Sequence, residues 1–149
     1  MSEKTKLIKI LLVEDNPDDI VIIQRAFKEA QLVNQLWITR DGQEGWDFLK
    51  QQGKYQDPLS VPSPGLILLD INLPKMNGLE LLKLIKEDAS LKAIPTVMLT
   101  VSRRDEDIAK GYHYGCNSFI QKPVEFEKFV GIVREIGLYW GMINEGSPA

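Results

Sequence analysis

The chain has 149 residues, 18 Lys and Arg against 21 Asp and Glu, and a formal charge of −3. That length fits one domain able to bury roughly 70% of its unfolded surface, and the mild acidity argues against a phosphate-gripping face for nucleic acid or anionic membrane. One cysteine, Cys116, and one histidine, His113, exclude an intrachain disulfide, a Cys-based zinc centre and any site that needs two imidazoles.

The charged start, Met1 to Lys6, runs into an apolar stretch too short for a signal peptide, and no run of about 18 apolar residues follows anywhere. A cytoplasmic location and no membrane contact are expected. Leu7–Val13 reads as the first strand and ends in Glu14-Asp15. Asn16 is placed to cap a helix from Pro17 to Ala30, with Ile20, Ile23, Phe27 and Ala30 on one face. Gln35–Thr39 reads as a second strand. A second helix, Gly42 to Gln52, carries Gly45, Trp46 and Leu49. Residues 53–65 hold Pro58, Pro62 and Pro64, which stop helix and central strand alike. Such a stretch is either a linker or a surface insertion; the strands on both sides favour an insertion within one sheet.

Leu66–Asp70 is nearly all apolar, as a strand covered on both faces must be. Gly78–Asp88 is expected as a helix on Leu79, Leu82 and Ile85. Thr96–Thr100, a short helix over Asp105–Tyr114, Ser118–Gln121 and a last helix from Glu125 to about Trp140 complete the chain. This alternation predicts an α/β fold: a doubly wound (βα)5 parallel sheet in the order 2-1-3-4-5, of the flavodoxin kind.

Ligands of such sheets sit at the carboxyl ends of the strands. Strand 1 ends in Glu14 and Asp15, strand 3 in Asp70, strand 4 in Thr100, and strand 5 is followed by Lys122. Three carboxylates in one small site call for a hard divalent cation, Mg²⁺ or Mn²⁺. A phosphoryl group held there needs a nucleophile, which an aspartate supplies as an acyl phosphate, and donors for its oxygens, which Thr100 and Lys122 can supply.

With these residues in place the sequence resembles the receiver domain of two-component response regulators. The likeness rests on Leu12-Val13-Glu14-Asp15-Asn16, on Leu68 to Gly78 with Pro74 and Gly78 in the loop, on Met98-Leu99-Thr100, and on Gly115 to Pro123. It spans about residues 7–140 of a single receiver domain, 1–149. The resemblance implies that Asp70 is phosphorylated, that Glu14, Asp15, Asp70 and the backbone carbonyl of Asn72 hold the metal, and that Thr100 and Lys122 contact the phosphoryl oxygens. It also implies a switch coupling Thr100 to Phe119, and a sensor histidine kinase as phosphodonor. Cys116 stands where the family often has alanine, and is read as core. His113 is read as a surface residue.

Only about ten residues follow Tyr139, so no output domain is expected. On the last helix Phe126, Phe129, Val130, Val133 and Trp140 form one apolar stripe, and Ile132, Ile136, Tyr139 and Ile143 form another, roughly 80–100° away. The second stripe either tucks under the tail or joins two chains as a homodimer. The insertion and the aromatic last helix look like the small regulators paired with bacterial, especially cyanobacterial, phytochromes. Two alternatives are weaker. A haloacid dehalogenase-type phosphohydrolase would need a second acid where Asn72 stands. A receiver-like module that is never phosphorylated would not need the full acidic set.

Overall fold

Strands that are apolar on both faces need helices above and below, and the chain arranges itself accordingly. A computed structural model describes residues 9–31, 36–57, 61–100, 105–116, 118–121 and 125–135. The strands are β1 (Ile10–Val13), β2 (Leu36–Thr39), β3 (Leu66–Asp70), β4 (Thr96–Thr100) and β5 (Ser118–Gln121). All pairings are parallel, in the spatial order β2-β1-β3-β4-β5. The connecting helices are α1 (Pro17–Glu29), α2 (Gly42–Lys50), α3 (Gly78–Glu87) and α4 (Asp105–His113), with helical residues 126–135 as α5. The predicted fold class and strand order both hold. Among the described residues no helix is long and apolar enough to cross a membrane.

Every residue of β1 and β3 is buried. Their side chains alternate between two cores. On one face Ile10, Leu12, Leu66 and Leu68 meet Ile23 and Phe27 of α1 and Phe129 and Val133 of α5. The Phe27 and Phe129 rings, 6.4 Å apart, join the two helices. On the other face Leu11, Val13, Ile67 and Leu69 meet Phe48 of α2 and Leu81, Leu82 and Ile85 of α3. Burial of each such side chain stabilises the fold by about 1.5–3 kcal/mol.

Helix ends follow local chemistry. The Asn16 side chain accepts the Asp18 and Asp19 N–H groups at 2.9 and 3.1 Å. Asn77 and Glu80 form a reciprocal capping box on α3. The first four helices stop one or two residues before the periodicity suggested. At α2 the cause is visible: Gln51 adopts a left-handed φ of 55° and closes the helix. Leu7, Ile8 and Gln35, expected in β1 and β2, lie outside the described residues.

Two expectations about helix faces need correction. On α2 Gly45 and Leu49 are buried and Trp46 packs half-buried against the core, as expected, but the deeply buried aromatic is Phe48, which the expected face left out. The reason is a cluster of rings: Phe48 lies 5.9 Å from the tilted ring of Trp37 of β2 and 5.1 Å, edge-on, from Tyr55, which the insertion delivers on a 3₁₀ turn at Gly53–Tyr55. On α5, Ile132 is half-buried and packs against the α1–α5 core instead of standing wholly on a separate outer stripe. The helix lies against α1 as well as the sheet, so its apolar arc is broad. Ile136, Tyr139, Trp140 and Ile143 lie outside the described residues.

The turn from β3 into α3 sets the tightest steric demand. Gly78 donates its N–H to the Ile71 carbonyl at 2.8 Å. A Cβ there would stand 2.0 Å from the Asp70 carbonyl oxygen. Gly78→Ala should therefore lower unfolding free energy by about 3 kcal/mol. Gly131→Ala, at a helical position with nothing within 4 Å of the added carbon, should raise it by about 0.5–1 kcal/mol. Urea unfolding of the two variants checks the contrast.

Candidate functional site

Register alone brings the acids together. Val13 of β1 lies opposite Leu69 of β3, so the next residue of each strand, Glu14 and Asp70, emerges on the same edge. Glu14 extends the ladder by donating its N–H to the Thr39 carbonyl at 3.0 Å. Its side chain is fully buried, and Oε2 accepts the Asn16 N–H at 3.2 Å. Asp15 is exposed and Asp70 is buried. One carboxylate oxygen from each of Glu14, Asp15 and Asp70 lies within 4.8 Å of the others.

Three carboxylates this close repel one another, and two of them are largely shielded from water, where repulsion is strongest. An all-oxygen donor set with one member open to solvent suits a hard, partly hydrated divalent ion such as Mg²⁺ or Mn²⁺. The residues present thus fit the metal that their chemistry calls for.

The other predicted site residues converge on this edge to differing extents. Asn72 is exposed and gives its N–H to Asp70 Oδ1 at 3.4 Å. Asp70 lies opposite Leu99 in β4, and Ile71 N–H bonds the Leu99 carbonyl at 3.2 Å. Thr100 therefore ends β4 one residue beyond the partner of Asp70. Thr100 in turn lies opposite Gln121, the last residue of β5. Lys122 follows Gln121 in sequence and lies outside the described residues. Phe119 is half-buried. Its ring meets the Tyr112 ring edge-on at 5.2 Å and occupies the space that a Cβ on Gly111 would need, 2.5 Å away.

Sequence reasoning missed the start of α2. Asp41 caps the helix, its Oδ1 accepting the Glu44 N–H at 2.7 Å. Glu44 Oε1 accepts the Arg40 N–H at 2.8 Å, and its Oε2 accepts the Tyr55 hydroxyl and pairs with Lys54 at 3.0 Å. Burial pushes the Glu44 carboxyl up, but these partners together outweigh it and leave it below the usual range. The spacing Asp41-x-x-Glu44 is a capping-box pattern, and that signal was available in the sequence.

Cys116 is buried, and burial pushes its thiol up to about 11 despite the nearby Lys86 ammonium. His113 is exposed.

The profile of the response regulator receiver domain matches residues 10–134. The chain is 39% identical over 131 residues to response regulator Rcp1 of Synechocystis sp., covering 88% of this chain and 87% of that one. It is 39% identical over 141 residues to the probable methanogenesis regulatory protein FilR2 of Methanothrix harundinacea, covering 94% and 88%. The crystal structure of the Mn(2+)-bound form of Rcp1 superposes with a TM-score of 0.78 at 38% identity, over 89% of this chain and 94% of that one. The phosphorylated cyanobacterial phytochrome response regulator RcpA gives 0.79 at 39% identity, over 90% and 96%.

Two outcomes follow from the side-chain environments. Asp15→Asn should weaken Mg²⁺ binding about tenfold or more in a calorimetric titration, and should slightly stabilise the metal-free fold by relieving repulsion. The Cys116 thiolate should be about a hundredfold scarcer at pH 8 in the folded chain than in the unfolded chain, so iodoacetamide should label it at a comparable rate only after unfolding. As the folded pKa is raised, this group's contribution to stability is complete below the unfolded thiol pKa and is lost as pH rises towards about 11.

Proposed function

The chain belongs to the response regulator receiver family, and from that premise we propose that it takes a phosphoryl group from a sensor histidine kinase onto Asp70. Receivers are signalling phosphoacceptors, and the reading follows that pattern. The observation that carries it is the convergence of Glu14, Asp15 and Asp70 within 4.8 Å at the carboxyl edge of β1 and β3.

In this reading a carboxylate oxygen of Asp70 attacks phosphorus as the P–N bond of the donor phosphohistidine breaks, and the imidazole keeps the electron pair and takes up a proton. The product is an acyl phosphate on Asp70. Glu14, Asp15, Asp70 and the Asn72 carbonyl would hold the divalent ion, which when bound would neutralise charge on the transferring oxygens. Thr100 and Lys122 donate to those oxygens, and Phe119 changes its packing as Thr100 moves. Of these carboxylates Glu14 is fully buried and Asp15 is exposed, so Asp15 is the one that would leave the ion open to water.

The kinase is read as one of the phytochrome type on the likeness to the cyanobacterial phytochrome response regulator RcpA, and the location is read as cytoplasmic from the sequence. FilR2, at the same identity, is named for methanogenesis regulation, and phosphotransfer from a purified phytochrome kinase to this chain distinguishes the two pairings. Self-association belongs to the same reading and rests on the second apolar stripe read from the sequence of the last helix, Ile132, Ile136, Tyr139 and Ile143.

Incubation with Mg²⁺ and acetyl phosphate should add one phosphoryl mass to the intact chain. Asp70→Asn should take up none, while Asp70→Asn with unchanged labelling overturns the assignment. A Lys122→Ala chain should label at least tenfold more slowly.

A further inference from the structure

The segment after Asp70, residues 71–77, carries Asn72 and must hold its shape for anything at Asp70 to be held in register. Inside the segment, Leu73 N–H bonds the Ile71 carbonyl at 3.2 Å and Met76 N–H bonds the Pro74 carbonyl at 2.7 Å. Between them Lys75 adopts a left-handed φ of 67°, a conformation unfavourable for a residue with a Cβ. Such a conformation persists where its surroundings over-determine it.

The surroundings that do so are the first residues of α2. Gly42 directs its N–H, normally an unpaired group at a helix start, to the Pro74 carbonyl at 3.3 Å. The two backbones touch so closely that a Cβ on Gly42 would stand 2.0 Å from the Met76 carbonyl oxygen. Asp41 divides its carboxylate: Oδ1 caps the helix through Glu44 N–H, and Oδ2 faces Lys75 Nζ at 3.7 Å. The same stretch of chain reaches the other side of the acidic corner. Arg40 N–H is held by Glu44, and the preceding Thr39 carbonyl accepts the Glu14 N–H at 3.0 Å. The stretch from Thr39 at the end of β2 to Gly42 at the start of α2 is thus a common abutment for Glu14 and for the loop that follows Asp70.

We propose that Asp41 is a positioning residue for the chemistry at Asp70: by capping α2 with one oxygen and drawing in Lys75 with the other, it fixes residues 71–77 against the acidic corner. The inference rests on Asp70 being the phosphoacceptor. The Lys75 side chain is 70% exposed, so the ion pair by itself contributes little to global stability. Its effect is local, on the outer part of a short loop whose base is held through Ile71 by Leu99 and Gly78 and whose Pro74 is held by the Gly42 amide.

Three variants separate this from a merely structural role. Asp41→Ser keeps a capping oxygen and loses the reach to Lys75; Lys75→Met loses the same contact from the other side; the third carries both changes. Mg²⁺ affinity is read by calorimetry, amide exchange of Gly42 and Met76 is read on the metal-free chain, and stability is read by urea unfolding. Each single change should raise the Mg²⁺ dissociation constant about threefold and speed both amides by a similar factor, with a near-constant urea midpoint. The double variant should be no worse than the more affected single, because one contact is lost twice. Wild-type affinity and exchange in both singles, or effects that multiply in the double, overturn the proposal. If the wild-type chain labels at Asp70 while the variants behave as wild type, this inference alone falls. If the wild-type chain takes no label there, the inference falls together with its premise.

Discussion

Electrostatic repulsion between Glu14, Asp15 and Asp70 is the constraint around which the structure is organised. Charges held within 4.8 Å would separate if the chain could let them. It cannot, because β1 and β3 are buried along their whole lengths and lie side by side. Sliding one strand by a residue would turn its side chains to the wrong face, exchanging Leu11 and Val13 for Ile10 and Leu12 in the two cores. The apolar register therefore holds the acids together, and the burial of those strands offsets the cost. The result is a corner in which charge is concentrated by packing and whose oxygens form a donor set that fits a hard cation.

The supports of that corner come from the neighbouring strand β2 and from the helix that follows it. Glu14 is tied to β2 through Thr39, and the loop after Asp70 is tied to the beginning of α2 through Gly42 and Pro74. α2 itself is steadied by the insertion, whose Tyr55 ring packs edge-on against Phe48 and whose hydroxyl reaches Glu44. A segment that reads as a proline-rich interruption thus contributes a side chain to the framework near the acids, through a helix that neither strand end touches directly in sequence.

How much of this was legible in the sequence depends on the kind of signal. The fold was legible because Leu66 to Leu69 and the runs like it are apolar without alternation, which leaves a covered parallel sheet as the economical solution. The acidic corner was legible because strand ends are positions in space once the strand order is known, so Glu14, Asp15 and Asp70 could be placed together without side-chain detail. Helical periodicity was a poorer guide to depth. It gives a direction around the axis, but what stands in that direction is decided by distant residues. Phe48 is buried by Trp37 and Tyr55, and Ile132 is drawn into the core shared with α1. The role of Asp41 was hidden for a related reason: its cap is local and readable, whereas Lys75 is brought to it only by the turn after β3.

The contact between Gly111 and Phe119 has a consequence for how this protein can diverge. The aromatic ring rests where any larger residue at position 111 would place its first side-chain carbon. The resting position of the ring is therefore conditional on the absence of a side chain at one place on α4, well apart in sequence from every carboxylate of the corner. A lineage that replaced that glycine would evict the ring while inheriting the same acids, strand order and loop. The chemistry of the corner and the default posture of its neighbouring surface are, in this architecture, separately heritable traits.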